Sequence, residues 1–362
     1  MDEPAPEGRV RAQSSAPVSL RQTNALGRLR PAPIEARGKG RRPDARAVKS
    51  KPVFLPPDAT ADDAFQLTLQ QCKWHIVANT PAVLESRDAE GVHQLRVALR
   101  RLRVALASFG EEFRVPPLEA LRMRAKILAQ GLAPARDLDV FVDDLFEPAA
   151  HANGSVEAFA VLRERALTAR REAWADAVRE VSGLAFRTFL HDLGDAIDGR
   201  IWYESPRGTS PATGLVAFDT PAVELAGRML NHRMKVAKKR ARKLETLSEA
   251  ERHRLRIALK KLRYAAEFFA PLYPARAVTP FLKRLSRMQD ILGLLQDVAV
   301  ARGTLAHLVE EPEGSLRGPR PDISFAAGLV YGWHLDRASS AWKDAVRRWR
   351  KLAKTEPFWL AA

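Results

Sequence analysis

Two stretches of the sequence carry the same cationic pattern. His93, Arg96, Arg100 and Arg103 recur 160 residues later as His253, Arg256, Lys260 and Arg263. On a helix turning about 100° per residue, each set falls within an arc of about 80°. The chemistry open to such a row is anion binding. Arginine presents a planar fork that pairs two phosphate oxygens and keeps its charge when crowded, while lysine acts as a compact point charge. Histidine has two options. Neighbouring cations lower its pKa and a bound phosphate raises it, so His93 and His253 either protonate on binding or sit neutral and hydrogen-bonded near a helix start.

A further row, Arg228, His232, Lys235, Lys239 and Arg242, is spaced to lie along one helix face about 21 Å long. Leu230, Met234, Ala237, Ala241 and Leu244 occupy the opposite side. Between 228 and 263 there are 14 Lys/Arg and 3 Asp/Glu. A plain solvated face is the alternative. Solvated faces usually mix signs, because like pairs at i,i+4 cost about 0.2–0.5 kcal/mol each. Rows of one sign at a fixed offset favour a polyanionic ligand that relieves the repulsion.

These rows need helices to hold them. His93 to Phe109 reads HQLRVALRRLRVALASF, and His253 to Phe269 reads HRLRIALKKLRYAAEFF. Leu95, Ala98, Leu99, Leu102, Leu106 and Phe109 form an apolar stripe away from the cations. The same offset aligns Leu132, Asp137 and Val140 with Leu292, Asp297 and Val300. The repeat implies a duplicated helical unit, with a concave junction as the natural binding place. Helical spacing continues almost to the C-terminus, and no run alternates with period 2. Helices are predicted at 60–80, 88–110, 116–132, 136–147, 155–182, 184–198, 220–246, 248–270, 278–293, 296–311 and 323–354. Asp58 or Thr60 caps the first, with Asp62 and Asp63 suiting its dipole. The expected fold class is all-α, a duplicated helical unit with pseudo-two-fold symmetry. Residues 1–57 hold nine of the 24 prolines and read as a disordered basic tail. The first half is expected at 58–202, a linker at 203–219, the second half at 220–355 and a short tail at 356–362. Trp333, Trp342 and Trp349 read as a packing stripe.

The 362 residues carry a net charge of +16, which argues for an anionic partner. A lone cysteine, Cys72, excludes an intrachain disulfide framework and a cysteine zinc cluster. No apolar run reaches membrane-span length, and the start has no apolar leader, so a cytoplasmic protein without membrane insertion is expected. The sequence has no H-E-x-x-H, P-loop or G-x-S-x-G motif. Asp143–Asp144 and Glu111–Glu112 are adjacent pairs that point to different helix faces. Asp137 and Asp297, near helix starts, are expected to accept backbone N–H bonds or to hold a motif arginine. The expectation is no cofactor, no metal and no catalysis.

The paired segments resemble the two signatures of the CHAD family, the conserved histidine α-helical domain. His93-Gln-Leu-Arg-Val with Arg100-Arg-Leu-Arg103 matches the first. LAPARDLD at 132–139 resembles its partner segment, with Ala133 in place of the usual glycine. His253-Arg-Leu-Arg-Ile, Lys260-Lys-Leu-Arg-Tyr264 and Leu292-Gly-Leu-Leu-Gln-Asp297 match the second. The resemblance spans roughly 50–355. It implies two pseudo-symmetric four-helix-bundle-like halves around a basic central groove or pore, binding of inorganic polyphosphate through the motif residues, and association with polyphosphate granules and their proteins. Some family members are fused to a triphosphate-tunnel enzyme domain with an E-x-E-x-K strand motif. That motif is absent here, so its activity is not transferred. Two alternatives stay open: a nucleic-acid binder with a diffuse basic surface, and an enzyme of phosphate-chain metabolism. The enzyme would need a carboxylate cluster beside the basic row, and the sequence does not display one.

Overall fold

The computed structural model describes residues 45–113, 117–154, 157–203, 217–310 and 321–360. Among these the chain is helical, with one isolated bridge, Thr60 to Pro221, and no strand. The helices are α1 (Ala61–Leu84), α2 (Ala89–Phe113), α3 (Pro117–Gly131), α4 (Ala133–Val140), α5 (Glu147–Ala152), α6 (Glu157–Ser182), α7 (Leu184–Asp198), α8 (Ala222–Arg240), α9 (Glu249–Phe269), α10 (Ala275–Val309) and α11 (Pro321–Ala353). A π-helical turn, Phe141–Phe146, joins α4 to α5.

Local signals explain the boundaries. Thr60 takes the α1 cap: its hydroxyl accepts from the Asp63 amide at 3.2 Å, and its own amide donates to Asp63 at 3.0 Å. Ser248 and Glu251 make the same reciprocal box at the start of α9. That box resets the chain after α8, which ends at Arg240 rather than continuing to 246 as predicted. Lys238, Lys239 and Arg240 fill its last turn and suit the negative end of the dipole. The predicted break between 293 and 296 does not occur, and α10 runs through both segments. Gly293 costs a helix about 1 kcal/mol. Burial of Met288, Leu292, Val298 and Ala301 on either side outweighs it.

The expected tail at 1–57 needs correction over 45–57; residues 1–44 lie outside the described residues. The 45–57 segment is a strap laid on α1 and the turn after it. Asn79 accepts from the Val48 amide at 2.8 Å and donates to the Val48 carbonyl at 2.9 Å. Val53 and Leu55 are buried. Proline and charge content suggested disorder, but buried polar partners and two apolar anchors offset the ordering entropy.

The core draws on both sides of the 203–219 segment. Phe65 stacks on Phe109 at 4.6 Å between ring centroids, and Phe109 meets its repeat counterpart Phe269 at 5.9 Å. A second cluster joins Phe141, Phe146, Phe159 and Leu162 to Val298, Leu305, Ile323 and Val330. Trp342 and Trp349 are buried, as expected of a packing stripe, and Trp333 packs partly buried on the second cluster. The segments leading into α1 and α8 also bond directly, Ala61 N to Thr220 O at 2.7 Å and Ala222 N to Ala59 O at 2.8 Å. Interlocked clusters predict one cooperative unfolding transition. Phe109→Ala and Phe269→Ala should each lower stability by about 3–5 kcal/mol without splitting it, as read by urea denaturation followed by circular dichroism.

A basic cavity as candidate anion-binding site

α2 buries Leu95, Ala98, Leu99, Leu102, Ala105 and Phe109, and α9 buries Leu255, Ala258, Leu259, Leu262, Ala265 and Phe269. With these stripes packed inward, the cationic faces of both helices open on one cavity of about 350 Å³. Arg96, Arg100 and Arg103 line it from α2, and His253, Arg256 and Lys260 from α9. Asp137 of α4 and Gln296 and Asp297 of α10 complete the polar wall. Val140, Phe141, Leu145, Val300 and Ala301 form an apolar side. Phe141 and Leu145 come from the π-helical turn, whose extra residue lets the segment bury Phe141, Val142, Leu145 and Phe146 together.

The cations have little to bond to. Arg96 Nη1 donates to the Ala129 carbonyl at 2.7 Å. Arg103 Nε and Arg256 Nε are buried with no hydrogen-bond partner. An unmade hydrogen bond on a buried charged group is expensive, and such groups are normally satisfied. Burial, followed by Arg100 and Arg256, lowers the Lys260 ammonium to about 6. Burial also lowers Arg96 to about 10, which leaves it charged at neutral pH. Asp137 and Asp297 are both raised by burial, against the pull of Arg96 and Arg256 respectively. His253 Nδ1 meets Gln296 Oε1.

Thirteen side chains were expected to bind the anion, and the cavity gathers six of them. His93 is half-buried beside the cavity without lining it. Burial and then Arg136 push it down to about 4, so in the free protein it is neutral. Arg263 is drawn away from the cavity. Its Nε donates to Glu267 Oε1 at 2.7 Å, and its Nη1 reaches Ser286 and Gln289 at 3.4 and 3.3 Å. The counterpart of Glu267 in the first copy is Ala107, so Arg103 has no such competitor and remains in the cavity. That i,i+4 pair was readable in the sequence.

The α8 row does not line this cavity. Arg228, His232, Lys235, Lys239 and Arg242 stand exposed and away from the cavity. α8 buries Leu225, Ala226, Met229, Leu230, Met234 and Ala237, which turns the row outward. Arg228 faces Glu112 at 3.4 Å. Gln296 and the two carboxylates join the cavity from helices that carry no cationic row. Asp139, two residues beyond Asp137, is a carboxylate outside the cavity lining. It is buried and accepts from Arg170 Nε at 2.7 Å and Trp174 Nε1 at 3.0 Å. Among the described residues, a group with metal-ligand spacing, His191, Asp192 and Asp195, lies on α7 outside this cavity.

The comparisons with known proteins agree with the all-α fold. The CHAD domain family model matches residues 68–306. No curated protein matches. The crystal structure of the CHAD domain from the plant Ricinus communis is similar at 26% identity and a TM-score of 0.72, covering 86% of this chain and 98% of that one. PptA from Streptomyces chartreusis shares the fold at 16% identity and a TM-score of 0.59, covering 81% of this chain and 99% of that one. No described helix is long and apolar enough to cross a membrane. An all-α chain with the family's segments on α2, α4, α9 and α10, matched over two thirds of its length, belongs to the CHAD family.

Proposed function

We propose that the protein binds inorganic polyphosphate in the cavity between α2 and α9 without cleaving it, and that this binding associates it with polyphosphate granules. The observation that carries the proposal is the cavity lining: five Lys/Arg, Arg96, Arg100, Arg103, Arg256 and Lys260, with two buried guanidinium Nε groups unpartnered. Phosphate oxygens supply the missing acceptors. A chain of phosphates has no bases to read, and the lining offers Phe141 as its one aromatic, which does not make a stacking platform. Asp137 and Asp297 offset part of the charge in the free protein. The repeat at offset 160 fits a duplication whose two cationic faces were turned onto one ligand.

The proposal is tested by titrating the protein with long-chain polyphosphate and, at matched charge, with duplex DNA, each at two salt concentrations. Polyphosphate should bind tightly and keep binding at the salt that removes DNA. The Arg96→Ala/Arg256→Ala variant should lose at least tenfold in affinity, since hydrogen bonds to charged groups contribute about 1.5–3 kcal/mol each. Equal affinities falling together would leave only a diffuse basic surface. Phosphate release in Mg²⁺ that this variant slows would make the protein an enzyme.

Lys260 gives the binding a pH signature. It faces Arg96 and Arg100 of α2, Arg256 of α9 and Asp297 of α10. In the folded free protein it loses its proton near 6, whereas the unfolded chain holds it to about 10.5. Between those values the unfolded state binds more protons, so this group makes stability rise with pH. A bound polyanion raises the Lys260 pKa. Binding at pH 7–8 should therefore take up close to one proton, and affinity should fall as pH rises from 6 to 9. Calorimetry in two buffers of different ionisation enthalpy should detect the uptake, and Lys260→Met should abolish it.

A further inference from the structure

The walls of the cavity between α2 and α9 carry more than a chain of phosphates can use. Arg96, Arg100 and Arg256 present forks that suit phosphate oxygens. Phe141, Leu145, Val300 and Ala301 form an apolar side, which offers an inorganic polyanion nothing to bond. The same lining holds an amine, Lys260. Its Nζ makes no hydrogen bond and no ion pair with a described residue, and it is not sealed off from the cavity.

A lysine is ordinarily a poor nucleophile at neutral pH, because a proton occupies its lone pair. It becomes reactive when it is desolvated or set beside other cations. Both conditions hold here. Burial acts first, then Arg100 and Arg256, with Arg96 in the same sense. Asp297 of α10 opposes them, and His93 of α2 lies close enough to feel the charge of Lys260. Titrating near 6, Lys260 is a free amine at pH 7.5. A cationic cradle, an apolar wall and a nucleophilic amine in one cavity match a ligand with a phosphate at one end and a small carbonyl-bearing group at the other.

We infer that the cavity admits small acyl phosphates, with the phosphate on the arginines and the acyl group on the apolar side, and that these acylate Lys260. The step balances without a further reactant. The Nζ lone pair attacks the acyl carbonyl carbon, and an N–C bond forms. The bond from that carbon to the bridging oxygen breaks, and its electron pair leaves with inorganic phosphate. The surplus proton on nitrogen passes to solvent. The arginines that hold the ligand's phosphate also stabilise the charge that develops on it as it leaves. The product is an uncharged amide, which cannot take up a proton when a polyanion binds. Acylation thus weakens the cavity for polyphosphate. That consequence rests on the proposed polyphosphate binding, whereas the modification rests on the cavity alone.

The experiment incubates the full chain with acetyl phosphate at pH 7.5 and follows each lysine by peptide mass spectrometry. Lys260 should acetylate at least tenfold faster than Lys239 and Lys283, which stand exposed on α8 and α10. Its rate should saturate with acetyl phosphate and fall when inorganic phosphate competes; the exposed lysines should show neither effect. As pH rises from 6 to 9 its rate should level off above 7, while ordinary lysines, still far below their pKa of about 10.4, gain about tenfold per pH unit. p-Nitrophenyl acetate, an acyl donor without a phosphate, separates recruitment from bare reactivity. The preference for Lys260 over Lys239 should be at least fivefold smaller with that donor. Equal preference with both donors, or a Lys260 no faster than the exposed lysines, overturns the acyl-phosphate site. The acetylated protein is then titrated with long-chain polyphosphate and should lose at least fivefold in affinity. Lys260→Arg, treated in the same way, should stay within twofold of its untreated form. An acetylated Lys260 with unchanged affinity overturns the regulation alone. Acetylation at Lys260 in a chain that never binds polyphosphate overturns the binding proposal and leaves the acyl site standing.

Discussion

Two like charges 4 Å apart repel by about 4 kcal/mol at an effective dielectric of 20, and five Lys/Arg side chains share the walls of one 350 Å³ cavity. Much of the fold can be understood as the means of holding them there. Each cationic face is backed by a fully buried stripe, Leu95 to Phe109 on α2 and Leu255 to Phe269 on α9. The two stripes meet through Phe109 and Phe269, so neither helix can turn its charges outward without opening the core. Asp137 and Asp297 enter from α4 and α10 and offset part of the repulsion. Lys260 relieves the rest by giving up its proton, which the guanidinium groups around it do not do at neutral pH.

The two copies of the motif are not equivalent, and single substitutions account for the difference. Where the first copy has Ala107 the second has Glu267. Glu267 binds Arg263 and also Arg101, which is buried and lies 5.0 Å from the Phe268 ring. One carboxylate thus serves two arginines and withdraws the last cation of the second row. Arg100 against Lys260 is the other asymmetry. The first position keeps a guanidinium and the second holds an amine that burial can neutralise. A buried charge pair such as Arg101–Glu267 is weak evidence for stability. Its clearer consequence here is geometric, because it fixes which arginines remain available to a ligand.

Most of the helices, the apolar stripes and the identity of the two cationic rows were legible, because they follow from spacing along a single helix. Six of the row residues meet where a concave junction was expected. What spacing could not supply was relation between helices. The α8 row has the same one-sided charge as the other two, yet α8 buries the opposite face and leaves the row on the surface. Asp137 and Asp297 were legible as a matched pair at the repeat offset. Their position in the cavity depends on how α4 and α10 pack against α2 and α9. The strap at 45–57 was hidden for another reason. Its composition is that of a loop, and it is held by a few contacts, notably Val48 on Asn79, that composition does not register.

The paired carboxylates also bear on the choice between binding and cleavage. Paired acids at a binding site are what a metal-dependent hydrolase requires, and the structure places two of them in the basic cavity. Their surroundings differ from those of a metal centre. The cations acting most strongly on Asp137 are Arg96 and Arg136, and on Asp297 they are Arg256 and Lys260. Burial raises both acids while the neighbouring arginines lower them. A divalent cation placed between them would also add to the positive charge of Arg96, Arg100 and Arg256. Carboxylates in that position are suited to keeping arginines oriented, the role the proposed binding function asks of them.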